Sequence, residues 1–179
     1  MTDLIKQAEA FARERHKGQI RKGAAAEEYM VHVADVASRV QALGGNQAAI
    51  CAAWLHDTVE DCPPTSVAEL AGLFGAQIAG FVAELTDDKA LPKAERKRLQ
   101  RVNAPAKSAT ASLVKIADKT SNVTALRLSP PAHWPVERKL AYIDWAEDVV
   151  GALGHQPAAA LTAFKAACVA SRASVLLLK

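Results

Sequence analysis

Apolar residues recur every three or four positions along almost the whole chain, the period of helices and not of strands. Leu4, Ala8, Phe11 and Ala12 form such a stripe, continued by Arg15, with Asp3 before it as a candidate N-cap and Gly18 where it stops. The segment GQIRKGAAAEEY that follows has no period, and its adjacent cations Arg21 and Lys22 lie between glycines, so a loop is predicted there. A second helix is expected from near His32, through Val33, Val36, Ala37, Val40 and Leu43, to the stop at Gly44-Gly45. Asn46 caps a third, running unbroken through AAICAAWLHDTVED to Pro63-Pro64. Ser66 and Glu69 have capping-box spacing for a fourth, ended by Gly75, and a fifth passes through IAGFVAELT. Pro92 suits the first turn of a strongly charged sixth, KAERKRLQRV. A seventh is predicted from about Ser112 to Leu128, an eighth starts at Pro135 and carries Tyr142 and Trp145, and a ninth follows Pro157. The prediction is an all-α fold in one domain over residues 1–179, closed by a C-terminal helix at about 157–175.

Composition sharpens this picture. Half the residues are hydrophobic and 23% are charged, enough apolar surface to offset the cost of ordering the chain, and aromatics are only 5%, which favours close helix packing. The net charge of +3 is too small for a duplex-binding surface and suits a small anionic ligand, so no nucleic-acid partner is expected. Cys51, Cys62 and Cys168 are odd in number and lack CxxC spacing, the pattern of small buried side chains in a reducing compartment. No apolar run approaches the ~18 residues of a membrane span, and the charged, amphipathic N-terminus has no signal-peptide core. A cytoplasmic location without a membrane partner is expected.

The chemistry concentrates at His56-Asp57-Thr58-Val59-Glu60-Asp61. At helical spacing these acids crowd one another directly after the buried run AAICAAWL, so a positive charge should sit opposite them; the competing reading is an acidic helix end. His32 opens an otherwise apolar helix, and Asp118 adjoins a stripe of Leu113, Val114, Ala117 and Ala125, where an unpaired carboxylate is costly. Two imidazoles and two carboxylates from three helices make a mixed nitrogen and oxygen site for a divalent metal, the hard ligands favouring Mn²⁺, with Zn²⁺ or Fe²⁺ as alternatives. Such a metal activates water toward phosphate esters.

The order His32, then His56-Asp57, then Asp118 resembles the metal signature of the HD superfamily of metal-dependent phosphohydrolases. The surrounding words are more specific. HKGQIRKG, YMVH, AAWLHDTVED, FGAQIAGFVAELTDDK, ERKRLQ and LVKIADKTSNV resemble the guanosine tetraphosphate hydrolase domain of the RelA/SpoT family, nearest its small stand-alone members including the metazoan SpoT homologue, over roughly residues 4–155. The resemblance implies an HD-type helical bundle with His32, His56, Asp57 and Asp118 as metal ligands. It implies that Glu60 and Asp61 orient the attacking water and that Asn122, one turn after the last ligand, lies near the nucleotide. Arg21 and Lys22 match the pair that contacts the base, and Lys93, Arg138 and Tyr142 match phosphate- and nucleotide-contacting positions.

The chain departs from the family at Ala26-Glu27-Glu28-Tyr29, where Gly-x-Pro-Tyr is usual, and at VTALRL after Asn122, where a more basic turn is common; both bear on base preference. His16 is expected to pack or cap, and Trp134, Trp145 and the terminal LLLK to join the core. The implied activity is removal of the 3′-diphosphate from guanosine tetra- or pentaphosphate, giving pyrophosphate and GDP or GTP. Adenosine alarmones, the 2′-phosphate of NADPH, and an HD-fold nucleotide-binding regulator without turnover are the competing readings. Whether copies of the chain form a homo-oligomer stays open.

Overall fold

The computed structural model describes residues 2–177, and these hold ten α-helices, one 3-10 turn at Ala104–Ala106, an isolated bridge between Ile20 and Glu28, and no strand. In chain order the helices are α1 (Asp3–Arg15), α2 (Tyr29–Ala42), α3 (Gln47–Leu55), α4 (Thr58–Asp61), α5 (Val67–Phe74), α6 (Ala76–Leu85), α7 (Lys93–Val102), α8 (Ala109–Leu128), α9 (Val136–Gly151) and α10 (Ala158–Leu176). The all-α expectation holds. The local signals behave as their chemistry dictates: Asn46 Oδ1 accepts from the Ala49 N–H at 2.9 Å, and Ser66 Oγ accepts from the Glu69 N–H at 3.2 Å. Gly44 and Gly75 end their helices at φ +78° and +89°. Glu69 does not return the capping-box bond, because Arg15 takes its carboxylate at 2.5 Å. Asp3 lies inside the first turn instead of capping it and accepts from Gln7 Nε2 at 3.0 Å. The seventh predicted helix, α8, starts three residues early, since Ser108 Oγ accepts from the Ala111 N–H and caps it there.

The main correction falls at the predicted third helix, which breaks at His56-Asp57 into α3 and α4. The His56 ring Nδ1–H donates to the Ala53 carbonyl at 2.7 Å, and the Thr58 hydroxyl donates to the Leu55 carbonyl at 2.8 Å. Side chains thus compete for the acceptors a continuing helix would use. His56 and Asp57 sit at the break, between the two helices.

Helix α8 joins two apolar clusters. Ala111, Val114 and Ala117 pack with α1, α2, α3, α5 and α6, whereas Ile116, Val123 and Leu126 pack with α9 and α10. Small residues such as Ala8, Ala12, Ala52 and Ala53 let these helices approach closely. Helix α10, 19 residues, is long and apolar enough by length and composition to cross a bilayer, which the run count did not anticipate. Here it buries Phe164, Cys168 and Val175 in the second cluster, and its Ser171 hydroxyl donates to the Val123 carbonyl at 2.8 Å. Leu176 and Leu177 are exposed, against the expectation of a buried terminus, and Leu178 and Lys179 lie outside the described residues. All three cysteines are free and buried.

A candidate metal centre beside a two-lobed cavity

His32 enters from α2, His56 and Asp57 from the break after α3, and Asp118 from the middle of α8. One ligand atom each from His32, His56 and Asp118 lies within 4.8 Å of the others, and all three residues are buried. Asp57 flanks the group, its Oδ2 3.1 Å from His56 Nε2 and 3.7 Å from His32 Nε2, while Asp118 Oδ1 is 3.4 Å from His32 Nε2. Both rings are oriented from behind: His56 through the Ala53 carbonyl, His32 through Ser121 Oγ, 3.0 Å from its Nδ1. That leaves each Nε2 facing the centre, the arrangement that metal-binding histidines need. His56 Nε2 is buried and makes no hydrogen bond among the described residues, since its approach to Asp57 lacks the required geometry. An orphaned nitrogen beside the buried Asp118 and half-buried Asp57 carboxylates fits a divalent cation.

Electrostatics agree. Burial opposes a charge on His56, but the Asp57 and Asp118 carboxylates overcome it and push the ring up to about 9. Burial lowers His32 against the pull of Asp118. Burial would raise both carboxyls, yet His56 holds Asp57, and Lys119 and His32 hold Asp118, below the ordinary carboxylate range.

Around the centre the chain leaves a cavity in two lobes. The first, about 580 Å³, is lined by the 18–29 loop, the C-terminal half of α8 and Tyr142. The second, about 400 Å³, contains Asp57 and Asp118. Seven residues line both, including Lys22, Tyr29, Lys93, Trp134 and Tyr142, and form the neck.

The expected site residues converge here. Arg21 lines the first lobe and its Nη2–H donates to Asn122 Oδ1 at 3.1 Å; the Asn122 amide donates in turn to Asp118 Oδ1 at 2.6 Å. Arg138 lines the second lobe, stacked over Trp134 at 4.2 Å. Glu60 and Asp61 meet the positive charge anticipated opposite them: Glu60 Oε2 accepts the Asp87 N–H at 3.1 Å, Glu60 Oε1 faces Arg96 Nη1 at 3.3 Å, and Asp61 pairs with Lys89. Of the basic α7, Lys93, Arg96 and Lys97 face the cavity, whereas Arg98 and Arg101 pair with Glu95 and Asp148 on the surface.

Other residues escaped the sequence reading. Tyr29 donates its hydroxyl to Asp57 Oδ2 at 2.6 Å and is braced by His16, buried at the end of α1 and stacked on its ring at 5.0 Å. Lys115 and Lys119 are buried beside Asp118. The polar positions 115, 118, 119 and 122 recur at helical spacing along α8, a signal that could have found both lysines. Trp134 and Trp145 are half-buried cavity walls, Trp134 also packing against the second apolar cluster, and Lys93, Lys97, Lys119 and Arg138 lie over their faces.

The departure at Ala26 has a structural cost. Ala26 sits at φ +49°, in the left-handed region that favours glycine, the residue that the resemblance puts there. Nearby, a Cβ on Gly23 would lie 2.4 Å from Ser129 Oγ and 2.5 Å from the Ser129 carbonyl oxygen. Opposite effects are therefore expected in chemical unfolding: Ala26→Gly stabilises by about 0.5–1 kcal/mol, and Gly23→Ala destabilises by about 1–3 kcal/mol. Equal signs for the two would contradict this account of the loop.

A family model described as HD domain matches residues 8–143. The guanosine-3′,5′-bis(diphosphate) 3′-pyrophosphohydrolase MESH1 of Xenopus tropicalis is 44% identical, with 84% of each chain covered, and that of Homo sapiens is 42% identical over 82% of this chain and 83% of the relative. A solved structure described as a metazoan ortholog of SpoT that hydrolyzes ppGpp and plays a role in starvation responses superposes with a TM-score of 0.88 at 34% identity, covering 93% of this chain and 94% of that one. With the His32, His56 and Asp118 cluster beside the second cavity lobe, and similarity of this extent over most of its length, the chain belongs to the HD-domain family and groups with the MESH1 proteins.

Proposed function

We propose that this protein hydrolyses guanosine 3′,5′-bis(diphosphate) and the corresponding pentaphosphate at the 3′ position. The observation that carries this reading is the two-lobed cavity. Its second lobe sets seven cationic side chains against five carboxylates, an excess of two before any metal binds, while its first lobe ends in a polar and aromatic wall sized for a nucleoside. His32, His56, Asp57 and Asp118 would hold the cation, with Mn²⁺ preferred for the hard carboxylates. When bound, that metal acidifies water and polarises a phosphoryl oxygen. In the reaction the water oxygen bonds to the phosphorus next to the 3′-oxygen, the ester P–O bond breaks, and the 3′-oxygen takes a proton. Glu60 accepts the proton from water, Asp61 orients it, and the cations neutralise charge developing on the diphosphate. Asn122 and Arg21 link Asp118 to the nucleoside lobe, with Lys22 and Tyr142 at the neck.

The test is release of pyrophosphate or phosphate, with Mn²⁺, from the guanosine tetra- and pentaphosphates, their adenosine counterparts and NADPH. Fastest release from the guanosine compounds supports the reading; a faster adenosine compound or NADPH reassigns the substrate, and no release from any of them leaves a binding protein. Base selection has its own check. Arg21→Ala is expected to raise KM about tenfold and to change the guanosine-to-adenosine ratio of kcat/KM, since it removes a charged donor from the first lobe. An unchanged ratio with an unchanged KM would return Arg21 to the surface.

A further inference from the structure

The cations of the second lobe are not equivalent. Arg96 is engaged by Glu60, Lys119 Nζ by Asp118 Oδ2 at 3.3 Å, and Lys115 Nζ by the Leu85 carbonyl at 3.5 Å. Arg138 leans on Trp134 at the neck. Lys97 lines the second lobe and not the first, and among the described residues no carboxylate lies within ion-pair distance of it. Its position is nonetheless defined. The Trp145 indole N–H donates to the Lys97 carbonyl at 3.1 Å, pinning α7 to α9, and the ammonium groups of Lys97 and Lys119 each lie 4.4 Å from the centroid of that indole. A cation–π contact steadies an ammonium without neutralising it, so Lys97 keeps a charge available to an anion. Contacts thus link Asp118 to Lys119 and, through the Trp145 ring, Lys119 to Lys97, all four lining the second lobe.

We infer that Lys97, braced on Trp145, recognises the terminal phosphate of the diphosphate being removed and so sets the preference for a diphosphate over a monophosphate ester. This rests on the function proposed above. The test compares guanosine 3′,5′-bis(diphosphate) with its analogue carrying a single 3′-phosphate. Lys97→Met is expected to lower kcat/KM at least about tenfold on the first and less than about twofold on the second, with Lys97→Arg recovering most of the loss. Equal losses on both substrates would overturn the assignment. A second measurement does not depend on turnover: calorimetric binding of inorganic pyrophosphate and of orthophosphate to protein loaded with one equivalent of Mn²⁺. The parent should bind pyrophosphate more tightly than orthophosphate, and Lys97→Met should lose about tenfold on pyrophosphate alone. Identical pyrophosphate affinity in parent and variant rejects the role of Lys97. A parent that hydrolyses neither nucleotide yet shows the pyrophosphate difference rejects the activity and keeps the subsite.

Discussion

Replacing His56 or Asp57 by alanine is expected to abolish metal retention and hydrolysis together. His56 Nε2 is a buried nitrogen without a hydrogen-bonding partner among the described residues, and Asp57 Oδ2 lies within 3.7 Å of both ring nitrogens. Removing either leaves an incomplete donor set around a cation that needs several, so affinity should fall by more than about 100-fold. Elemental analysis after gel filtration reads this directly; one tightly held equivalent in an active variant would show the coordination to be wrong. The parent adds a pH signature. With His56 at about 9 in the metal-free fold and His32 lowered, one imidazole carries a proton at neutral pH, and a metal can bind only as it leaves. Affinity should therefore rise with pH toward 9, with release of about one proton per metal, and fall as pH is lowered. Calorimetry in buffers of different ionisation enthalpy measures that proton. Uptake independent of pH over this range would mean that His56 is not a ligand.

Glu60→Gln is expected to keep the metal and lose the rate. Glu60 lies beyond the His56-Asp57 break on the single turn α4, lining the lobe that holds Asp57 and Asp118. Its carboxylate is located by the Asp87 N–H and by Arg96, so it can accept a proton from water without being one of the four proposed ligand residues. Glutamine keeps the size and one acceptor oxygen but is not a base, so kcat should drop by about 10² or more with near-normal metal content and substrate binding. The amide can serve only one of the two donors, a further cost of about 1 kcal/mol in stability. Burial, reinforced by Asp87, Asp57 and Asp61, raises the Glu60 carboxyl above its ordinary range although the Asp87 N–H opposes it. A base must be ionised to work, so parent activity falls as pH drops through that raised value, and this acidic limb should vanish in the variant. Metal loss in Glu60→Gln would make Glu60 a ligand, and parental kcat with full metal would make the acidic turn a helix end without a catalytic part.

What could be read from the chain alone was whatever a turn or two of backbone decides. Asn46, Ser66, Gly44 and Gly75 mark helix ends because a cap satisfies backbone groups within four residues of itself, and the 3–4 spacing of apolar residues identifies the buried face whatever it packs against. The proposed ligands His32, His56, Asp57 and Asp118 could be singled out for a related reason: polar groups interrupt stripes that must be buried, and burial without a partner is costly. The words around them resemble one family over most of the chain. The tertiary structure decided what depends on distant partners. The α3–α4 break follows from side chains that capture the Ala53 and Leu55 carbonyls, and no apolar period records it. Lys97 and Arg98 are neighbours on one basic helix, yet Lys97 meets Trp145 from α9 while Arg98 pairs locally with Glu95. Composition cannot separate a solvated cation from one facing a cavity, because the difference lies in which helix closes over it. The packing of α8 against α9 and α10 on one side and against α2, α3 and α6 on the other settles that.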